Sequence, residues 1–125
     1  MAKRIISTPN APKAVGPYSQ AIEANGVLYI SGQIPIDPAD GSIPATIQEQ
    51  TEQVLKNIGE ILKAAGYTYA DVVNSTVLLD DMADFAAMNE VYARYYTADM
   101  PTRACYQVAK LPMGVKVEIA TVAVK

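Results

Sequence analysis

The chain has 125 residues, half of them apolar, with ten basic against thirteen acidic side chains, a net charge of −3 and no histidine. That length suits one domain over residues 1–125 with a core of its own, and an acidic chain without a Lys/Arg cluster lacks the electrostatic footprint of a nucleic-acid binder. Without histidine, and with Cys105 as the single cysteine, a Cys/His zinc site, a Ser-His-Asp triad and a Cys-His pair are all excluded, leaving carboxylates, tyrosines, lysines, arginines and backbone to do any chemistry.

Ile5-Ile6 opens a short first strand, followed by the Pro-rich loop T-P-N-A-P-K-A-V-G-P-Y-S-Q, which contains Tyr18. Ala21 to Ala24 and Val27 to Ser31 flank Asn25-Gly26, a hairpin signal because both central residues tolerate positive φ. A turn-rich segment runs from Pro35 to Pro44. Thr46 with Glu49 forms a capping box, after which Ile47, Val54, Ile58, Ile61 and Ala65 recur on one helical face until Gly66 stops the helix. Val72 to Leu79 reads as a central strand. Asp80 or Asp81 then caps a second helix whose inward stripe is Phe85, Met88, Tyr92 and Tyr95 or Tyr96. Pro101 to Val124 reads as two strands joined by a Pro-Gly turn. The order β-β-β-α-β-α-β-β predicts an α+β fold, a mixed sheet with two helices on one face.

With both helices on one face the other is bare, and the last strand is apolar on both: Val117, Ile119 and Ala123 point one way, Ala120, Val122 and Val124 the other. An uncovered apolar sheet predicts a homo-oligomer. No run approaches the ~18 apolar residues of a membrane span, and no apolar signal segment follows Lys3-Arg4. A protein with no membrane association in a reducing compartment, the cytoplasm, is the expectation. Phosphate-binding glycine patterns are missing, so no nucleotide cofactor is expected.

Ionised side chains are seldom placed in Val/Ile-rich strands without a partner, which singles out Arg103 and Glu118. Strand alternation puts Arg103 with Cys105 and Gln107, and sends Ala104, Tyr106 and Val108 to the other side, expected to meet the helices. Glu118 is expected opposite the helices, so that Arg103 and Glu118 share the bare face across a hairpin. A planar guanidinium there clamps a small carboxylic acid, and Glu118 transfers protons or positions water. A structural ion pair is the competing reading. Cys105 reads as an apolar filler, Asp80, Asp81 and Asp84 as helix-capping groups, and Tyr18, Ser31 and Asn89 as polar residues that singly carry little weight.

The segments G-P-Y-S-Q-A (Gly16 to Ala21), Y-I-S-G-Q-I-P-I-D-P (Tyr29 to Pro38), D-M-A-D-F-A-A-M-N-E-V-Y (Asp81 to Tyr92) and P-T-R-A-C-Y-Q-V-A-K-L-P (Pro101 to Pro112), with V-E-I at Val117 to Ile119, resemble the reactive intermediate deaminase A family, also called YjgF/YER057c/UK114. The resemblance runs nearly end to end. It implies a chorismate-mutase-like fold, a homotrimer with sites in clefts between subunits, no cofactor, and hydrolysis of enamine or imine acids such as 2-aminoacrylate to 2-keto acids and ammonia. Carried over by motif, Arg103 holds the substrate carboxylate, Glu118 positions or activates water, Cys105 contributes through its backbone, and Tyr18, Ser31, Gly32 and Asn89 line the pocket. Tyr95 and Tyr96, where phenylalanine is frequent, and Asn74-Ser75 depart from the family pattern and bear on pocket shape. Two other readings stand beside this one: an endoribonuclease or translation inhibitor, which the acidic charge opposes, and a non-enzymatic keto-acid sensor or chaperone-like protein.

Overall fold

In the computed structural model, which describes residues 2–125, Asn25 and Gly26 take φ angles of 52° and 76°. Two successive left-handed residues make a reversal whose twist matches that of the adjoining strands. It joins β2 (Ala21–Ala24) to β3 (Val27–Gln33), with Ala21 opposite Ile30 and Ala24 opposite Val27. β1 (Arg4–Ile6) lies antiparallel on the outer edge of β2. The remaining elements are α1 (Ile47–Ala65), β4 (Val72–Leu79), α2 (Phe85–Tyr92), β5 (Thr102–Gln107) and β6 (Val117–Val124). The expected α+β order is therefore the one observed.

α1 starts and stops where local chemistry directs, and a capped turn leads into α2. The Glu49 N–H donates to the Thr46 hydroxyl oxygen at 3.1 Å, while that hydroxyl donates to the Glu49 carboxylate at 3.0 Å, so the carboxylate meets the hydroxyl and not the Thr46 backbone. Gly66, at φ 84°, ends α1 in the left-handed conformation that favours glycine. Asp81 accepts from the Ala83 N–H at 2.9 Å and caps a short 3-10 turn, Met82–Asp84, that leads into α2. Ile47, Val54, Ile58, Ile61 and Ala65 of α1 are buried, as are Met88, Tyr92 and Tyr96 from α2 and the turn after it.

The six strands run in the order β1-β2-β3-β6-β4-β5. β4 pairs with β5 in parallel and with β6 antiparallel, so β5 and β6 are not neighbours and the hairpin expected over 101–124 does not form. The reason is tertiary. β6 buries one face completely and leaves most of the other only partly exposed, which suits the interior slot between β3 and β4. β5, whose residues are nearly all exposed, suits the edge. The Pro112–Gly114 turn therefore opens a connection across β4 instead of closing a hairpin.

Leu28, Val77, Leu79, Val117 and Ile119 face the helices and are fully buried. The opposite face, carrying Ile22, Tyr29, Leu78, Ala104, Tyr106 and Val122, has no helix on it, and Tyr29 and Tyr106 remain 53% and 51% exposed.

Candidate functional site

Register decides the face on which each strand residue lies. Arg103, Cys105 and Gln107 stand opposite Ser75, Val77 and Leu79 of β4, all buried beneath the helices. The arginine thus lies on the helix side, and Ala104 and Tyr106 on the bare side, the reverse of the expected assignment. Alternation separates two faces but does not say which is covered. On an edge strand the helix layer ends beside the residue, so a long side chain can lie on the covered face and still bring its charged head to the rim.

The rim is built by α2. Phe85, Asn89 and Tyr92 recur on one helical stripe, and all three meet Arg103. Asn89 Oδ1 accepts from Arg103 Nη1 at 2.6 Å. The guanidinium carbon stands 4.9 Å from the centre of the Tyr92 ring and 5.5 Å from that of Phe85. The ion pairs among the described residues are Arg4 with Glu23 and Arg94 with Glu90, so no carboxylate neutralises Arg103. A structural ion pair with Glu118 of the same chain is thereby excluded. The Nε/Nη2 edge of the guanidinium makes no hydrogen bond among the described residues. Cys105 packs partly buried against the core, and burial pushes its thiol pKa up while Arg103 pulls it down less strongly, so the group is a neutral filler and not a thiolate.

Glu118 stands opposite Leu78 on the bare face. Arg103 and Glu118 therefore do not share a face within one chain: β4 lies between their strands, and their partners on it, Ser75 and Leu78, point to opposite sides of the sheet. Around Glu118 the structure gathers a second group. A bulge interrupts the pairing of β3 with β6 between Ile30 and Gln33 and brings Gly32 against the carboxyl. A β-carbon at Gly32 would fall 2.9 Å from Glu118 Cδ and closer still to Oε2, so only a glycine lets the carboxyl rest there. The carboxylate is half-buried and makes no hydrogen bond among the described residues, and burial raises its pKa. It borders a cavity of about 470 Å³ whose walls include Pro12, Tyr18, Gly32, Ile36 and Met113.

The Pro-rich loop that forms one wall is held by Gln20, a residue the sequence did not mark. Its buried side-chain amide accepts from the Thr8 N–H at 2.7 Å and donates to the carbonyls of Pro12 and Thr8 at 2.8 and 3.0 Å. Ser31 adds a clamp, its hydroxyl donating to the Ser19 carbonyl at 2.6 Å. Tyr18 hangs from this loop half-exposed, its hydroxyl accepting weakly from the Val15 N–H at 3.4 Å. The sequence-predicted residues thus fall into two groups in one chain: Asn89, Arg103 and Cys105 at the β5 edge, and Tyr18, Ser31, Gly32 and Glu118 on the other side of the sheet. Phe85 and Tyr92, read from the sequence as core, belong to the first. The signal was available in their spacing with Asn89. Among the described residues no three Cys, Asp or Glu side chains converge to hold a metal ion, and no helix is long and apolar enough to cross a membrane.

Residues 8–125 match the family model described as endoribonuclease L-PSP. A 2-iminobutanoate/2-iminopropanoate deaminase from Mus musculus is 51% identical over 124 residues, spanning 98% of this chain and 92% of the mouse protein. Among solved structures, Escherichia coli TdcF with bound serine superposes with a TM-score of 0.95 at 44% identity, covering 98% of each chain. RidA from an Antarctic Psychrobacter does so at 0.95 and 43%, covering 98% of this chain and 99% of its own. The end-to-end similarity in sequence and fold shows that this chain belongs to the endoribonuclease L-PSP family, the RidA/YjgF family of reactive intermediate deaminases.

Proposed function

We propose that this protein is a 2-iminobutanoate/2-iminopropanoate deaminase, hydrolysing enamine and imine acids such as 2-aminoacrylate and 2-aminocrotonate to 2-keto acids and ammonia. The observation that carries this reading is a guanidinium held by Asn89 and two aromatic rings with its Nε/Nη2 edge unbonded. Two parallel N–H donors on that edge match the two oxygens of a carboxylate, a fit a lysine cannot offer. The similarity to deaminases along the whole chain supports the same reaction class.

The chemistry asks little of the protein. An enamine acid tautomerises to an imine, and water attacks the imine carbon: the C–O bond forms, the C=N π pair moves to nitrogen, and one water proton passes to Glu118. The protonated carboxyl returns that proton to nitrogen. Glu118 next moves the hydroxyl proton to nitrogen, so that an oxygen pair forms the keto C=O as the C–N bond breaks and its electron pair leaves with nitrogen as ammonia. Arg103 fixes the carboxylate so that the adjacent carbon faces the water, a contribution of orientation and charge. A carboxyl whose pKa is raised by burial is suited to accept and return a proton near neutral pH. Tyr18, Ser31, Gly32, Asn89 and the Cys105 backbone line the pocket in this scheme, and no cofactor is called on.

Because Arg103 and Glu118 occupy opposite faces of one sheet, the scheme draws them from different copies. The Arg103 half-site of one chain meets the Glu118 half-site of a neighbour, in a homotrimer whose contact surface is the bare apolar face. The test generates 2-aminoacrylate in situ with a pyridoxal-phosphate-dependent dehydratase and follows imine decay. Wild-type protein accelerates the decay and Arg103→Ala abolishes the acceleration while retaining the fold. Decay unchanged by wild-type protein refutes the proposal and leaves the keto-acid sensor. The endoribonuclease reading follows the family description alone, and the net charge of −3 opposes it.

A further inference from the structure

The three contacts on Arg103 differ in how each is secured. Asn89 is a single hydrogen bond and Phe85 a ring at the helix start, but Tyr92 is fixed at both ends. Its hydroxyl donates to Ser75 Oγ at 2.9 Å inside the core, where Ser75 is fully buried and Tyr92 is 7% exposed. The Tyr96 ring lies against it with centroids 4.6 Å apart, which blocks the ring from swinging away. Ser75 is also the register partner of Arg103 on β4. A closed path therefore runs from the Arg103 backbone through the parallel ladder to Ser75, across the hydroxyl bond to Tyr92, and from its ring face back to the Arg103 guanidinium.

We propose that Tyr92 is a positioning residue for carboxylate recognition: pinned by Ser75, its ring seats the Arg103 guanidinium so that the Nε/Nη2 edge faces outward before substrate arrives. This rests on the reading of Arg103 as the carboxylate clamp. An arginine free in solvent loses rotamer freedom when it binds, and a side chain already seated loses less. The seat also lies on the π-face of the ring, where the cation is attracted by the ring quadrupole. The carboxylate is held alike in the bound substrate and in the transition state, so the seat acts on KM and leaves kcat nearly unchanged.

The experiment measures KM and kcat for imine hydrolysis, and the Kd for 2-ketobutyrate, in Tyr92→Leu, Tyr92→Phe, Ser75→Ala and the double variant Tyr92→Phe/Ser75→Ala, with Arg103→Ala in parallel. Tyr92→Leu is expected to raise KM and the 2-ketobutyrate Kd about tenfold, with kcat within about twofold of wild type. Tyr92→Phe and Ser75→Ala each raise KM about threefold, and the double variant does no more than either, because both remove the same bond. Should Tyr92→Leu fail to fold, the two near-isosteric variants carry the test. Wild-type KM in both of them, or a loss confined to kcat, overturns the seat. If that occurs while Arg103→Ala abolishes turnover, the clamp stands and the seat alone is refuted; if Arg103→Ala retains wild-type KM, the reading of the clamp fails with it.

Discussion

Replacing Gly32 by alanine tests whether Glu118 works from the place where the bulge holds it. The backbone at Gly32 lies outside the left-handed region, so alanine adds no backbone strain, and the perturbation is the added methyl group alone. That methyl would stand 2.9 Å from Glu118 Cδ and 3.2 Å from Cγ, whereas ordinary contact begins at 3.4 Å. The carboxyl must retreat by about half an ångström or more, and it has room, because its other side is the cavity of about 470 Å³. Displacements of about 1 Å in a reacting group cost about 100-fold in rate, so Gly32→Ala is expected to lower kcat about 10- to 100-fold. KM should change little, since the added methyl meets Glu118 alone and not the guanidinium proposed to hold the carboxylate. Stability should fall by no more than about 1 kcal/mol, because a half-exposed side chain moves instead of the backbone. Stopped-flow decay of 2-aminocrotonate gives kcat and KM, and a urea titration gives stability. The double variant Gly32→Ala/Glu118→Ala should be no slower than Glu118→Ala, since the methyl acts only by moving that carboxyl. Wild-type kcat in Gly32→Ala, or additive losses in the double variant, would refute the link between bulge, glycine and carboxylate.

Arg103→Lys keeps the charge but loses the planar fork, and should raise KM about 10- to 100-fold with the melting temperature unchanged. Glu118→Gln should remove activity yet raise the melting temperature at neutral pH. Burial raises this carboxyl's pKa, so the folded state holds the proton more tightly than the unfolded chain; the resulting stability is fully present below the ordinary glutamate range and is lost as pH rises through the raised value. The stability advantage of Glu118→Gln should therefore shrink toward acid pH, and melts of both proteins from acid to neutral pH check it. The same shift predicts that wild-type kcat falls as pH drops through the raised value, read from a pH–rate profile. Gln20→Leu leaves the buried Thr8 and half-buried Pro12 backbone groups without partners and should cost about 2–4 kcal/mol by urea titration, with faster proteolysis of the Pro-rich loop.

Much of this molecule was legible locally. Asn25-Gly26, Thr46 and Gly66 specify a reversal, a helix start and a helix stop through the φ angles and donors that each residue type can supply. The face of α1 followed from periodicity. Lack of histidine narrowed the chemistry to carboxylates, tyrosines, lysines, arginines and backbone, and placement in Val/Ile-rich strands singled out Arg103 and Glu118 as candidates. The spacing with Asn89 was available for Tyr92, but its bond to Ser75 and the hold of Gln20 on the Pro-rich loop were hidden, because neither contact has a local pattern and each depends on what lies across the fold.

What tertiary structure alone decided was the sidedness of the site. Alternation along β5 and β6 states which residues go together, but the face each set occupies depends on the neighbouring strand, and β6 entered between β3 and β4 because that slot pairs both of its edges and buries one of its faces completely. With β5 left at the edge, Arg103 came to the rim of the helix layer and Glu118 to the uncovered side. Residue identities determined the available chemistry, while strand order and burial of the helix-covered face determined that Arg103 and Glu118 face away from each other within one chain.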